Sequence, residues 1–80
     1  MEEVFIRKYW EDEKILFYIY FRNGQAIKQI EISENGKIFL SADNPQNGES
    51  MLYDQSISDL DLDEDDFIND EIFSKAWTDR

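Results

Sequence analysis

The chain has 80 residues, 41% of them apolar and 15% aromatic, which predicts one small domain that buries only about 60% of the surface its unfolded chain exposes. Nineteen acids against eight bases give a formal net charge of −11, which disfavours direct binding to nucleic acid or to an anionic membrane. With no cysteine and no histidine, the chain has neither disulfides nor the thiolate or imidazole ligands of a zinc site.

Hydropathy predicts a soluble protein without a membrane span. The longest apolar run, Ile15 to Phe21, has seven residues, whereas a spanning helix needs about 20. The first residues, Met-Glu-Glu, do not have the pattern of a secretory signal. A cytoplasmic location is therefore expected.

The first 41 residues predict an antiparallel meander. Val4–Trp10 is rich in β-branched and aromatic residues and ends at an acidic turn, so it predicts a first strand. Lys14–Arg22 follows as a second strand that is apolar on both faces, which is typical of a central strand. Its second face needs a cover, either the C-terminal helix or another protein.

Turn chemistry sets the predicted registers. Asn23-Gly24 favours a two-residue hairpin turn with positive φ at both positions, which places Phe17 opposite Ile30. A three-residue loop at 34–36 then pairs Ile32 with Ile38. The predicted core face is Ile15, Phe17, Ile19, Ile30, Ile32, Ile38 and Leu40, and the opposite face carries Tyr18, Tyr20, Ile27 and Phe39.

The second half predicts a loop at 42–50, a short fifth strand at Met51–Gln55, an irregular acidic segment at 56–68 and a helix at 69–79. Asn69 is a favourable N-cap, and Ile68 can pack on Phe73 as a hydrophobic staple. The sequence thus predicts a single α+β domain in which a four- or five-stranded antiparallel meander, residues 1–55, is packed by one C-terminal helix.

The acidic run at 54–71 is the strongest functional signal, because half of its eighteen positions are carboxylates and no basic residue interrupts them. Its apolar residues indicate attachment to a fold rather than a free acidic tail. A basic protein partner is the natural complement, and solubility alone is the alternative. The predicted partner-binding residues are Asp59, Asp61, Asp63, Glu64, Asp65, Asp66, Asp70 and Glu71.

Tyr18 and Tyr20 form a second predicted partner-binding site, because they lie on the sheet face for which the sequence provides an incomplete cover. Core packing is the alternative for these aromatic residues. The oligomeric state has no signal of its own in the sequence.

Two chemical interpretations of the carboxylates fit poorly. Asp59 could begin a calcium loop, but the sixth position is then Glu64 instead of glycine and the twelfth is Asp70 instead of glutamate. Paired carboxylates can also hydrolyse glycosides, yet the chain has no nucleophile–base constellation and no glycine-rich phosphate loop. We therefore predict no enzyme activity, no cofactor and no specific metal site.

Several stretches together resemble a family of short acidic bacterial proteins: Phe-Ile-Arg-Lys-Tyr-Trp at 5–10, the strand at 27–32, the turn at 35–38, Ser-Met-Leu at 50–52, and 68–73 with Trp77. Lys8 departs from the pattern, which is apolar there, and the acidic segment is shorter. The resemblance implies an immunity protein of a polymorphic toxin or contact-dependent inhibition system, and it implies no functional residues.

Three functions follow as hypotheses. The first is an immunity protein that neutralises a cationic toxin, a nuclease in particular, since such a toxin carries a basic substrate groove. The second is a mimic of nucleic-acid charge that blocks another DNA- or RNA-binding protein, as a phage inhibitor of host defence does. The third is a divalent-ion-binding module.

Overall fold

The structure is a computed structural model and describes residues 2–79. The strands and helices are β1 (Glu3–Trp10), β2 (Ile15–Arg22), β3 (Gln25–Ser33), β4 (Gly36–Ser41), β5 (Gln46–Asn47), β6 (Ser50–Met51), two 3₁₀ helices (Ile57–Asp59 and Glu64–Asp66), β7 (Phe67–Ile68) and α1 (Asp70–Thr78). Five strands form an antiparallel sheet in the order β4-β3-β2-β1-β7, and β5 and β6 form a separate small hairpin. The predicted α+β class is confirmed.

Both faces of the sheet are covered, because β2 is apolar on both. One face, which we call the helix face, has Tyr20 and Ile30 at its centre and packs against α1. The other, which we call the loop face, has Ile6, Ile19 and Phe21 at its centre. It packs against residues 52–62, which cross it as an irregular segment.

The turn between β2 and β3 is the predicted two-residue hairpin. Asn23 and Gly24 have φ values of 53° and 84°, the positive values that such a turn requires. The predicted register of β2 and β3 beyond this turn is nevertheless wrong by one residue. A β-bulge follows Phe21↔Ala26, so that Tyr20 pairs with Lys28 and Tyr18 with Ile30.

The next hairpin also differs from the prediction. Ser33 pairs with Gly36, so the loop has two residues, and Ile30 faces Phe39 instead of Leu40. Gly36 has a φ of 122°, which a glycine adopts without strain. Because a one-residue slip reverses the faces, Ile30 and Ile32 join Tyr18 and Tyr20 on the helix face.

The fifth strand lies elsewhere in the sequence than predicted. Phe67–Ile68, not Met51–Gln55, completes the sheet, by pairing with Phe5 and Ile6 at the outer edge of β1. Ser50–Met51 pairs instead with Gln46–Asn47 inside the predicted loop. The segment after Met51 must cross the loop face to cover its apolar residues, so it leaves the plane of the sheet.

Helix α1 begins as predicted and docks through aromatic side chains. The Asn69 Oδ1 atom accepts a hydrogen bond of 2.8 Å from the backbone N–H of Ile72. Phe73 is buried, with its ring centroid 5.6 Å from that of Phe5 and 6.1 Å from that of Tyr20. Ile72, the residue before Phe73 in the helix, is 44% exposed.

Replacing Phe73 by alanine tests this docking. Because the ring is almost fully buried, we expect Phe73→Ala to lower the free energy of unfolding by about 3 kcal/mol, a large share of the stability of so small a domain. Urea unfolding followed by circular dichroism measures it. Ile72→Ala, the neighbouring apolar residue at the surface, is the control and should cost less than about 1 kcal/mol; equal losses would contradict the docking arrangement.

Candidate functional site

The irregular segment that crosses the loop face holds the acidic residues in place through alternating side chains. Leu60 and Leu62 are half-buried against the loop face, while Asp59, Asp61 and Asp63 between and beside them are exposed. Each half-buried leucine contributes about 1 kcal/mol. The carboxylates are therefore presented by a segment attached to the core.

Hydrogen bonds fix the beginning of the same segment. The backbone N–H of Tyr53 donates to the buried Gln29 side chain at 2.8 Å, and the Gln29 amide donates to the carbonyl of Met51 at 3.2 Å. The backbone N–H of Ile57 donates to the carbonyl of Gly24 at 3.0 Å. The segment is thus tied to the β2–β3 hairpin as well as packed on the sheet.

Most of the predicted acidic site residues form one exposed set, which we call the acidic surface: Asp59, Asp61, Asp63, Glu64, Asp65, Asp70 and Glu71. Within residues 2–79, none of them forms an ion pair. Burial raises the pKa of the Tyr53 phenol, and the negative charges of Asp59 and Asp54 raise it further. The local potential is therefore negative.

Asp66 differs from the other predicted acidic residues because it has a structural role. Its Oδ2 atom accepts a hydrogen bond of 2.8 Å from the backbone N–H of Asp63 and one of 3.2 Å from the Lys8 amine. The pKa of Asp66 is lowered, chiefly by the Asp63 N–H and also by Lys8, while burial opposes the shift. The ion pair between Lys8 and Asp66 thus links the second 3₁₀ helix to β1.

The predicted tyrosine site is covered by the fold. Tyr20 is 7% exposed, its ring stacks on Phe5 with centroids 4.7 Å apart, and α1 lies over it. A short hydrogen bond from its hydroxyl to Glu3 raises its pKa; burial adds to the shift and Arg22 opposes it. Tyr18 is half-buried on the same face. Of the two covers predicted for this face, the C-terminal helix is the one observed, and it leaves Tyr20 buried.

Neither a metal centre nor a membrane helix is found in the part of the chain that the structure describes. Among residues 2–79, no group of three or more carboxylates lies close enough together to hold a metal ion. No helix in this range is long and apolar enough to cross a membrane. The calcium interpretation of the Asp59 region therefore has no assembled ligand set.

Comparisons of the chain with protein-family models, with curated proteins and with solved structures found no match. The resemblance to immunity proteins therefore stays a prediction from the sequence.

A groove on the loop face is the feature that the sequence interpretation missed. Two buried polar residues of β3, Gln29 and Glu31, line it beside Phe17 and Trp10. The sequence Gln29-Ile30-Glu31-Ile32 could have indicated it. Alternate residues of a strand share a face, so when both faces of the sheet are covered, the two polar side chains are buried together on one face and need hydrogen-bond partners there.

The role of Asp66 can be tested by unfolding at different pH values. A pKa lower in the folded than in the unfolded state stabilises the fold above the ordinary value of 3.8, and this contribution disappears as the pH falls through the folded pKa. We expect Asp66→Asn to cost about 1 kcal/mol at pH 7 and progressively less below pH 3.8, as measured by urea unfolding.

Asp65→Asn removes the same charge from an exposed neighbour and serves as the control. It should change stability by no more than about 0.5 kcal/mol. Equal effects of the two substitutions at pH 7, or a loss in Asp66→Asn that does not depend on pH, would contradict the structural role.

Proposed function

We propose that this protein is an inhibitor of the immunity type, which binds a basic protein, a nuclease toxin in particular, through the acidic surface. The observation that carries the proposal is a set of seven exposed carboxylates, none in an ion pair within residues 2–79, on elements attached to the core. A surface whose exposed charges are unpaired and held in place is suited to a partner of opposite charge.

Attachment to the core distinguishes this surface from an acidic tail. A disordered tail must lose conformational entropy when it binds, whereas a segment held by Leu60, Leu62 and the Gln29 hydrogen bonds has already been ordered by folding. Its negative potential also attracts a cationic partner before contact, which can raise the association rate by a factor of about 10 to 1,000 at low salt. Fast capture is what neutralising a toxin requires.

The basic substrate groove of a nuclease is a fitting target. Such a groove binds phosphates, and its arginine and lysine side chains can donate the same hydrogen bonds to carboxylates at similar spacing. An acidic domain bound there blocks access to the nucleic acid. The same chemistry supports a second candidate, a nucleic-acid-charge mimic that inhibits some other DNA- or RNA-binding protein.

Genetic context separates the two candidates. We expect the gene immediately upstream to encode a protein that is toxic when expressed alone in a bacterial host, and we expect co-expression of this chain to restore growth. A phage operon without a toxin gene would favour the second candidate. A toxic upstream product that this chain does not neutralise would contradict the immunity role.

Association kinetics with the neutralised toxin test the acidic surface itself. In one variant, Asp59, Asp61 and Asp65 are replaced by asparagine and Glu64 by glutamine, while Asp66 is kept because it stabilises the fold. We expect the association rate at low salt to fall about tenfold and its salt dependence to flatten, with little change in the dissociation rate. Stopped-flow measurements at two ionic strengths determine both rates.

The control variant makes the same change in net charge at exposed carboxylates outside the acidic surface, by amide substitution of Glu11, Asp12, Glu34 and Asp43. At about 0.15 M ionic strength, where the Debye length is about 8 Å, its association rate should fall by less than about threefold, because charges outside the contact are screened. Equal slowing in both variants would show that net charge alone matters, and unchanged rates in the first would assign the acidic surface to solubility.

A further inference from the structure

The groove on the loop face is large enough for a ligand group. It is open to solvent, and residues of the sheet together with Ser50 and Met51 line it. Its volume of about 470 Å³ lies within the range of about 300–1,000 Å³ that is usual for ligand pockets. Its apolar wall is formed by Trp10, Ile15 and Phe17. The rings of Trp10 and Phe17 lie 5.2 Å apart, and Trp10 is 39% exposed.

A buried carboxylate lines the same groove. Glu31 is 8% exposed, its Oε2 atom accepts a hydrogen bond of 2.9 Å from the Gln29 amide, and its Oε1 atom accepts one of 3.1 Å from the Ser50 hydroxyl. Both donors are neutral, and no lysine or arginine within residues 2–79 forms an ion pair with Glu31. A cation that enters the groove can therefore add a charge-assisted hydrogen bond to this carboxylate.

More negative than positive side chains line the groove. Glu13 and Glu49 line it as well, which makes three carboxylates with Glu31. Lys8 is the one cation among the groove-lining residues, and its amine is bound to Asp66 at 3.2 Å. The complementary occupant therefore has an apolar stem and a cationic end.

Arginine fits this description better than lysine. Its planar guanidinium stacks on aromatic rings and binds a carboxylate through two parallel hydrogen bonds. Phe17 pairs directly with Glu31 across β2 and β3, so an aromatic surface and a carboxylate are adjacent, about 5 Å apart at their Cβ atoms.

We propose that this groove receives an arginine side chain of the basic partner, with its guanidinium on Glu31 and its stem along Phe17 and Trp10. The proposal rests on the proposed function for the identity of that partner. Leu60 lines the groove while Asp59 and Asp61 beside it are exposed, so one partner can contact both. The acidic surface attracts the partner, and the groove then holds one of its side chains.

The probe for the experiment is the peptide acetyl-Gly-Arg-Gly-amide, titrated into the ¹⁵N-labelled protein and followed by NMR. The matched control peptide carries citrulline, which has the shape of arginine without its charge. We expect saturable shifts at the amides of Phe17 and Glu31 and at the Trp10 indole, with a dissociation constant on the order of 1–10 mM. The citrulline peptide should leave these signals unchanged.

Glu31→Gln removes the charge while keeping the size of the side chain, and we expect it to weaken binding of the arginine peptide about tenfold. If that variant does not fold, Trp10→Leu serves instead, because Trp10 is partly exposed at the end of β1, and it should weaken binding about threefold. The control Glu34→Gln removes the same charge from an exposed residue that does not line the groove, and it should bind the peptide within about twofold of the native protein.

Absence of shifts at the groove, or equal shifts with citrulline, would overturn the proposal. Shifts confined to residues 59–66 would also overturn it while leaving the proposed function in place. If the peptide binds the groove but toxin association does not depend on the acidic surface, the arginine site in the groove would be supported and the proposed function contradicted.

Discussion

The structure depends on one constraint: β2 is apolar on both faces, so the sheet must be covered on both sides. Phe21 and Ile19 face one way and Tyr20 the other, and all three are buried. One short helix covers the first face and an irregular segment covers the second.

An irregular cover must satisfy its own backbone groups, and here polar side chains of the sheet help to do so. Gln29 is buried on the loop face and bonds to the backbone at Met51 and Tyr53, as a fully paired buried amide does. Glu31 bonds to Gln29 and Ser50. The same carboxylate that helps to hold the cover also lines the open groove, so one side chain serves both the fold and the proposed recognition of a cation.

The same cover explains how a highly charged chain keeps its shape. Leucines at alternate positions face the sheet and aspartates between them face solvent, so the charge stays at the surface, where water screens it. Among the carboxylates of residues 54–71, Asp66 alone is half-buried, and Lys8 forms an ion pair with it. The helix side has different chemistry, since stacked and tilted rings of Phe5, Tyr20 and Phe73 fill it.

Much of this could be predicted from local chemistry, and the failures have identifiable physical causes. Positive φ at Asn23 and Gly24 and the cap at Asn69 were predicted correctly, because each depends on neighbouring residues alone. The β-bulge after Phe21 has no comparable local signal, and it reversed the faces of Ile30 and Glu31. Because the bulge was not predicted, Ile30 was assigned to the wrong face. The face of Tyr20 was therefore expected to be incompletely covered, and the groove beside Glu31 was missed.

The sequence by itself determined the class of fold, the position of the first four strands, the start of the helix and the concentration of negative charge in the second half. These follow from side-chain periodicity, turn residues and composition, which act over a few residues. Only the tertiary structure decided which face each strand residue occupies, which segment completes the sheet, and which carboxylates are exposed, paired or buried. Those outcomes depend on contacts between Lys8 and Asp66, Gln29 and Tyr53, or Phe5 and Ile68, residues far apart in the chain whose meeting is set by packing of the whole domain.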